Sequence, residues 1–206
     1  MLLASLLLWV PSSIYAGQYV ITELKDSYDD LGRALEVLED QDHSLSLEDI
    51  QSGRFNERFF YQSNPEQQLN PYSTYWGKIT LNNQVQKDAE WILYPGYKEY
   101  VDVFIEQPDG SFIEKKAGFF EDLENKEIKK GREAKVSLFL KYQERKTIYI
   151  RIRNVSGFQP NFKIALTTPS KFHKKIESRN YTQGLFQGLM GILILYNFLI
   201  FVLNRD

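Results

Sequence analysis

The chain has 206 residues, with 25 Lys and Arg against 27 Asp and Glu, and it contains no cysteine. This near-neutral balance gives no electrostatic case for binding nucleic acid, and the lack of cysteine excludes both a disulfide framework and thiolate metal sites. A chain of this length can bury a sufficient core without disulfides, and its 14 Phe and 13 Tyr make it rich in aromatic side chains.

The N-terminus has the pattern of an export signal. Residues 1–10 are nearly all apolar and are followed by Pro11, and the small residues Ala16 and Gly17 then offer a cleavage site. Residues 1–16 are therefore predicted to be a secretory signal peptide, although no Lys or Arg precedes the apolar run. The alternative, a second membrane anchor, would need a longer apolar run.

Two-residue alternation dominates the next 150 residues, so residues 17–170 are predicted to form one extracytoplasmic β-sandwich domain. The clearest strand is 147–153, in which three isoleucines alternate with Tyr149, Arg151 and Arg153. The predicted strands are residues 33–38, 75–81, 90–94, 101–105, 112–113, 136–140, 147–153 and 162–166. Polar turns separate them, including a tight hairpin at Pro108-Asp109-Gly110. The pattern is typical of two antiparallel sheets packed face to face.

One short helix interrupts the strands. Ser46-Leu47-Glu48-Asp49 has the form of a capping box with the shorter acid, and Gly53 supplies a stop, so a helical turn is predicted at residues 47–52. Residues 56–71 and 121–131 are polar or charged and are predicted to be loops.

The C-terminal segment has the composition of a membrane-spanning helix. No charged residue occurs in 181–204, and residues 185–203 are mostly apolar. At about 1.5 Å per residue they span roughly 28 Å, the thickness of a bilayer core. We predict a transmembrane helix at 184–204, joined to the domain by a juxtamembrane link at 171–183. Gly184, Gly188 and the polar Gln187 and Asn197 favour packing against other transmembrane helices.

The charge flanking this helix gives an ambiguous orientation. Lys171, Lys174, Lys175 and Arg179 precede it and only Arg205 follows, which taken alone would place the domain in the cytoplasm. Long domains translocate largely regardless of charge, however. The export signal therefore places the domain outside, and the chain is predicted to lie in the cell membrane as a single-pass protein with a periplasmic or extracellular N-terminal domain.

Catalytic and metal-binding patterns are missing from the sequence. Its two histidines, His43 and His173, have no ligand cluster near them, and there is neither a nucleophile elbow nor a glycine-rich phosphate loop. We therefore expect a protein that is not an enzyme, with no catalytic residues, no cofactor and no metal site. Acidic clusters such as Glu39-Asp40 leave a structural calcium open, against the simpler interpretation as solvated loop acids.

Aromatic and arginine side chains are the best candidates for a ligand site. A sugar ring stacks on an aromatic face while charged groups bond its hydroxyls. The candidate ligand-binding residues are Trp76, Trp91, Tyr149, Arg151 and Arg153, to which Tyr94 and Tyr97 could contribute. The alternative is that the tryptophans are core residues and the Tyr-Arg-Arg face is a solvated sheet surface.

The order of several short motifs resembles a bacterial family, the seven-transmembrane receptors with diverse intracellular signalling modules, in their type 2 extracellular domain and first membrane helix. The matching motifs are Leu38-Glu39-Asp40, Leu45-Ser46-Leu47-Glu48-Asp49-Ile50, Trp76-Gly77-Lys78-Ile79, Trp91-Ile92-Leu93, Val101-Asp102-Val103-Phe104, Gly118-Phe119-Phe120, residues 147–153, Gly184-Leu185-Phe186-Gln187-Gly188 and Leu195-Tyr196-Asn197. The resemblance implies a jelly-roll sandwich similar to carbohydrate-binding modules and a sensory role outside the membrane. An arginine that often follows the Gly-Phe-Phe stretch in the family is not evident here.

Three functions follow from these observations. The first is an extracytoplasmic sensor of a small-molecule or carbohydrate ligand, belonging to a membrane receptor and represented by its sensor domain and first helix. The second is a membrane-anchored binding or adhesion module without signalling output, and the third is an exported hydrolase on a sandwich fold. The sequence names neither the ligand nor the intracellular output.

Overall fold

The computed structural model describes residues 14–15, 17–61 and 69–204, in two compact units bounded as Met1–Thr168 and Pro169–Asp206. The predicted signal peptide, residues 1–16, lies outside the described residues except for the backbone of a short strand at Ile14–Tyr15. The strands are β1 Ile14–Tyr15, β2 Gln18–Ile21, β3 Ser27–Tyr28, β4 Glu36–Asp40, β5 Phe60–Tyr61, β6 Thr74–Asn83, β7 Ala89–Gly96, β8 Tyr100–Glu106, β9 Phe112–Ala117, β10 Ala134–Leu140, β11 Arg145–Arg153 and β12 Ala165–Thr167. The helices are α1 Leu47–Gln51 and α2 Pro169–Leu203, with 3-10 turns at Leu31–Arg33 and Asn56–Arg58.

The strands of the first unit form two sheets, which confirms the predicted β-sandwich. The larger sheet has the order β1-β2-β6-β11-β8-β9, and the smaller has the order β10-β7-β12-β3. Strand β6 is long enough to take two neighbours on one edge. Strand β4 pairs antiparallel with its first half and β2 pairs parallel with its second half, while β5 extends the sheet beyond β4.

One apolar core lies between the sheets, and the predicted alternation places it there. Ile148, Ile150 and Ile152 of β11 are buried in this core, and antiparallel pairing aligns them with Ile105, Val103 and Val101 of β8. The smaller sheet contributes Trp91, Leu93, Val136, Leu138 and Leu140 to the same core. Because strand side chains alternate, Tyr149, Arg151 and Arg153 face away from this core.

A second, smaller apolar cluster covers the outer face of the larger sheet. It joins Leu38, Trp76 and Tyr149 to Ile50 of α1. The predicted capping box is confirmed, since the Ser46 hydroxyl accepts from Asp49 N at 3.2 Å and the Asp49 carboxylate accepts from Ser46 N at 3.0 Å. The cap fixes the start of a five-residue helix that is too short to be stable without this packing.

Most observed strands extend beyond their predicted bounds, for example β9 to Ala117, but two begin later than predicted. The strand predicted at 33–38 begins at Glu36, because Leu31–Arg33 forms a 3-10 turn. The strand predicted at 162–166 is reduced to β12, Ala165–Thr167, although Phe162 and Ile164 are buried in the core. In residues 162–164 the side chains alternate between buried and exposed although the backbone pairs with no described strand. The alternating sequence pattern therefore predicts which side chains are buried, but not which backbone groups form strand hydrogen bonds.

Two turns bound the β8–β9 pair, and the second of them, after β9, contributes to the candidate site. The hairpin at Pro108-Asp109-Gly110 is confirmed, with Gly110 N donating to Gln107 O at 2.9 Å. After β9, the chain turns at Gly118, whose φ is +125°, and runs back along the segment before β8. There Phe119 N donates to Lys98 O at 2.7 Å and Phe120 N to Glu99 O at 3.0 Å.

Helix α2 extends over 35 residues and begins at Pro169, a residue well suited to the first helical turn. It therefore includes residues 171–183, predicted as a link, as well as the predicted membrane segment. Among the described residues it is the one helix long and apolar enough to cross a membrane. Its apolar side chains, among them Leu185, Leu193 and Phe201, are exposed in the structure. A lipid bilayer would remove that surface from water.

We expect Gly118→Ala to lower the free energy of unfolding by about 2–4 kcal/mol, because a Cβ there would lie 2.3 Å from Glu99 O at a φ that L residues rarely adopt. Gly110→Ala is the matched control: it also has a positive φ, +82°, but a Cβ would meet nothing within 4 Å. The Gly110→Ala substitution should lower the free energy of unfolding by only about 1 kcal/mol. Denaturant unfolding followed by fluorescence of the buried Trp76 and Trp91 measures both, and equal losses would contradict the expectation.

Candidate functional site

The two predicted tryptophan platforms are fully buried in different layers. Trp91 lies in the core between the sheets, where it packs edge-on against Tyr28. Trp76 lies in the outer cluster and stacks on Phe104 with ring centroids 5.7 Å apart. Neither indole presents a ring face to solvent, so a ligand would reach either ring only by displacing side chains.

The remaining predicted residues share the outer face of the larger sheet with Trp76. The Arg151 guanidinium donates to Asp102 Oδ2 at 2.8 Å from Nε and lies 5.4 Å from the Trp76 ring centroid. Arg153 lies over Tyr100 at 4.7 Å, and Tyr149 is mostly buried. The structure thus brings Trp76, Tyr149, Arg151 and Arg153 together and leaves Trp91 apart. Arg151 already has a carboxylate partner, so this face is well satisfied without a ligand.

A different place in the domain has the shape of a ligand site. A cavity of about 570 Å³ opens where three loops meet: the segment before β8, the turn after β9, and the loop between β11 and β12. We call this cavity the aromatic pocket, and it is lined by Tyr97, Lys98, Glu99, Phe119, Phe120, Asn154, Phe158, Gln159 and Asn161. Its volume is within the range of small-molecule sites.

Partly exposed aromatic rings form much of the pocket wall, and the Arg132 guanidinium lies over one of them, 5.4 Å from the Phe119 ring centroid. Phe158 is 69% exposed, and Phe119 and Phe120, in edge contact at 5.0 Å, are also exposed. The Tyr97 hydroxyl donates to Glu133 Oε1 at 3.0 Å, which fixes its ring beside the opening. These rings offer apolar surface at a place where burial would release water.

Lys98 is the unusual charge of the pocket. It is only 4% exposed, and its Nζ donates to the neutral amide of Asn161 at 2.9 Å. Among the described residues, no carboxylate lies within 4 Å of this ammonium. Burial, with a smaller contribution from the positive charge of Lys163, lowers the pKa of Lys98 to about 8. The side chain is therefore still largely protonated at neutral pH.

Glu99 shapes the floor of the pocket. Its Oε2 accepts from the backbone N–H of Val155 and, at 3.1 Å, of Ser156, and so holds the loop after β11. Burial acts to raise the pKa of Glu99, but the hydrogen bonds from Val155 and Ser156 outweigh it and lower the pKa below its ordinary value. Its other oxygen, Oε1, is buried and has no hydrogen-bond partner in the described part of the chain.

Together these groups are suited to recognition. Ring faces, the side-chain amides of Asn154, Gln159 and Asn161, and one buried ammonium offer stacking, hydrogen bonds and charge to a bound molecule. Over residues 14–15, 17–61 and 69–204, no group of three or more His, Asp or Glu side chains lies close enough to hold a metal ion. Asp40, one of the acids considered for calcium, instead accepts from Ser44 N and Leu45 N.

Sequence reasoning found little of this pocket. Of its lining residues only Tyr97 was a candidate, and the Gly118-Phe119-Phe120 stretch entered through the family resemblance. Lys98, Glu99 and Asn161 stand in loops, where no periodicity predicts burial. One signal was available, namely adjacent phenylalanines after a glycine and outside any predicted strand.

Comparison with known proteins gives one family match. The family model described as 7TMR-DISM extracellular 2 matches residues 32–165. No curated protein matches the chain. Among solved structures, the crystal structure of a GH31 alpha-xylosidase from Xanthomonas citri aligns with 12% identity and a TM-score of 0.29, over 64% of this chain and 13% of the xylosidase. A likeness at that level carries no conclusion about fold or function.

We expect Lys98→Met to raise the free energy of unfolding at pH 7 by about 1–3 kcal/mol, because the variant keeps the apolar stem and removes a buried charge that has no carboxylate partner. Lys141→Met, at an exposed position, should change it little. Urea unfolding monitored by tryptophan fluorescence checks both, and a loss of stability in Lys98→Met would contradict the expectation.

The stability gap between Lys98→Met and wild type should shrink as the pH rises from 8 to 10.5. In that range the unfolded chain still binds the proton that folded Lys98 has released, so the stability of the wild-type domain rises with pH relative to the variant. Parallel urea titrations at pH 7 and pH 10 measure the gap. A gap of constant size would mean that Lys98 titrates normally in the folded domain.

Proposed function

The chain belongs to the 7TMR-DISM extracellular 2 family, the type 2 extracellular domains of seven-transmembrane receptors, and from that premise we propose that it is the ligand-sensing part of a membrane signalling receptor. The sensor is the β-sandwich, and it lies on the extracytoplasmic side. Its ligand is a small molecule, with a carbohydrate as the class that the pocket fits best. The observation that carries this proposal is the aromatic pocket with its exposed rings and amides.

Sugar recognition has simple physical requirements that the pocket meets. The faces of a sugar ring carry C–H groups that pack on aromatic rings, while its hydroxyls need hydrogen-bond partners. Phe119 and Phe158 supply ring surface, and Gln159 supplies a side-chain amide that can donate and accept. The amides of Asn154 and Asn161 also line the pocket, where Asn154 Nδ2 donates to Phe158 O and Asn161 Oδ1 accepts from Lys98 Nζ. A volume of about 570 Å³ accommodates one or two sugar rings.

The chain path offers a direct route from the pocket to the membrane helix. Pocket residues Phe158, Gln159 and Asn161 precede β12, and α2 begins at Pro169, two residues after β12 ends. A ligand that orders this loop would favour one position of β12, and β12 is covalently continuous with α2. Ligand binding can then bias the helix bundle of a receptor by the difference in affinity between its two states.

We propose binding without turnover. Glu99, the carboxylate of the pocket, already accepts hydrogen bonds from two backbone N–H groups through Oε2, and its pKa is lowered rather than raised as a general acid requires. A bound oligosaccharide should therefore be recovered intact after long incubation, which mass spectrometry of the released glycan checks. Recovery of cleaved products would instead favour the hydrolase alternative.

We expect Phe158→Ala to weaken binding of a glycan ligand about 5- to 10-fold, since it removes a stacking face worth about 0.5–1.5 kcal/mol beyond its buried area. The full chain in lipid nanodiscs is first screened against a library of neutral and acidic glycans. Isothermal titration then compares wild type, Phe158→Ala and Phe119→Ala for each glycan that binds.

Phe139→Ala is the matched control, because Phe139 is also an exposed phenylalanine but does not line the aromatic pocket. It should leave the affinity unchanged. Equal losses in Phe158→Ala and Phe139→Ala, or no loss in either pocket variant, would place the ligand elsewhere in the domain. A complete receptor that responds normally to its stimulus after deletion of the β-sandwich would refute the sensory role itself.

A further inference from the structure

We propose that the ligand of the aromatic pocket carries one carboxylate, as in an acidic sugar, and that the Lys98 ammonium is its counter-ion. This inference names the ligand chemistry of the same pocket and so rests on the proposed function. In the part of the chain that the structure describes, the Lys98 ammonium is buried with no carboxylate within 4 Å of it.

Lys98 differs from Lys135 and Lys146, two other buried lysines of this domain, because within the described residues no carboxylate lies within 4 Å of its ammonium, a feature that it shares with Lys126. Lys135 lies 3.9 Å from a Glu133 carboxylate oxygen, and Lys146 lies 3.1 Å from one of Glu144. Lys98 is buried to a similar degree, yet its ammonium donates to the neutral amide of Asn161. Proteins rarely bury an ammonium without pairing it. An anion entering the pocket would complete the pair.

A second observation points to the same place. Three buried side-chain polar atoms have no hydrogen-bond partner within the described residues, and two of them are the indole nitrogens of Trp76 and Trp91. The third is Oε1 of Glu99, which is adjacent to Lys98 in sequence and also lines the pocket. This oxygen accepts hydrogen bonds and lacks a donor, so a ligand hydroxyl that reaches it would satisfy it.

The charges that line the pocket select a monoanion. Lys98 contributes one positive charge and the ionised Glu99 one negative charge, and the other lining residues are neutral. No arginine is among the described residues that line the pocket, so the lining itself offers no forked donor for a phosphate. The guanidinium of Arg132, which is not among those residues, lies 5.4 Å from the ring centroid of Phe119. A phosphate with nearly two charges would also meet repulsion from Glu99. A carboxylate needs only the single ammonium.

The other lining residues indicate the chemistry of the rest of the ligand, to which the carboxylate is attached. The rings of Phe119 and Phe158 would pack against a ligand ring with apolar faces. The amides of Asn154 and Gln159 would form hydrogen bonds with ligand hydroxyl groups. A ring that has hydroxyls and one carboxylate is a uronic acid or a related acidic sugar. The aromatic faces, the amides and the single ammonium group together therefore favour an acidic sugar as the ligand.

The test compares acids with their uncharged esters. Isothermal titration measures D-glucuronate, D-galacturonate and short galacturonate oligosaccharides, each against its methyl ester, on the full chain in nanodiscs. We expect wild type to bind the best acid at least about 10-fold more tightly than its ester. In Lys98→Met the ratio should fall to about 1, with the ester bound as well as by wild type. Glucose 6-phosphate should bind more weakly than glucuronate.

Lys126→Met is the matched control for this loss of charge. Lys126 is also a buried lysine for which, within the described residues, no carboxylate lies within 4 Å, but it does not line the pocket. It should keep the preference for the acid over the ester. Tryptophan fluorescence and the unfolding midpoint verify that both variants are folded before titration.

Each of the remaining titration results would contradict one specific part of the proposal. Equal binding of acid and ester by wild type, with both weakened by Phe158→Ala, would overturn the carboxylate and leave the carbohydrate sensor standing. An acid preference that survives in Lys98→Met would overturn the role of Lys98, and glucose 6-phosphate binding as tightly as glucuronate would overturn the choice of a monoanion. Failure of every acid, ester and neutral glycan to bind would overturn both this inference and the carbohydrate proposal.

Discussion

The structure depends on strand β11 and its two antiparallel neighbours. Its three isoleucines lie in the core between the sheets, and pairing with β6 on one side and β8 on the other fixes the register of the centre of the larger sheet. A slip by one residue would move these isoleucines to the outer face and bring Tyr149, Arg151 and Arg153 into the core. Burial of the apolar side chains on the inner face of the sheet therefore also determines which residues lie on its outer face.

The outer face follows from the same register. Arg151 pairs across the sheet with Trp76 on one side and Asp102 on the other, so its guanidinium can stack on the indole and bond the carboxylate at once. Beside the ion pair of Arg151 and Asp102, Leu38, Trp76 and Tyr149 form a second apolar layer on the larger sheet, which packs against Ile50 of α1. The same register also explains why Trp76 and Arg151, which the sequence suggested as ligand-binding residues, contact each other instead of presenting free surfaces to a ligand.

The longer strands, helix α1 and the hairpin turn at 108–110 were predictable from the sequence, whereas the loops around the pocket were not. Alternation in 101–105 and 147–153 predicted β8 and β11, and the Ser46–Asp49 pattern predicted the capping box of α1. Strands β2, β3 and β5 were missed because they are too short for a periodic pattern and form through pairing with distant segments. Strand β5 corrects the loop predicted at 56–71, which also contains the 3-10 turn Asn56–Arg58. The pocket was missed for a related reason. Lys98 is buried because the turn at Gly118 returns along it, through Phe119 N donating to Lys98 O, and no local pattern encodes that approach.

The pairing of β3 with β12 has a consequence for how the domain is made. Thr167 and Asp26, joined by a hydrogen bond, stand 141 positions apart in the chain. A ribosome delivers β3 near the beginning and β12 only just before α2, so the smaller sheet stays incomplete until almost the whole domain has been synthesised. During that interval the edge of β7 that β12 later covers is free to pair with other strands. Completion of the sandwich and emergence of helix α2 are thus nearly simultaneous events in biosynthesis.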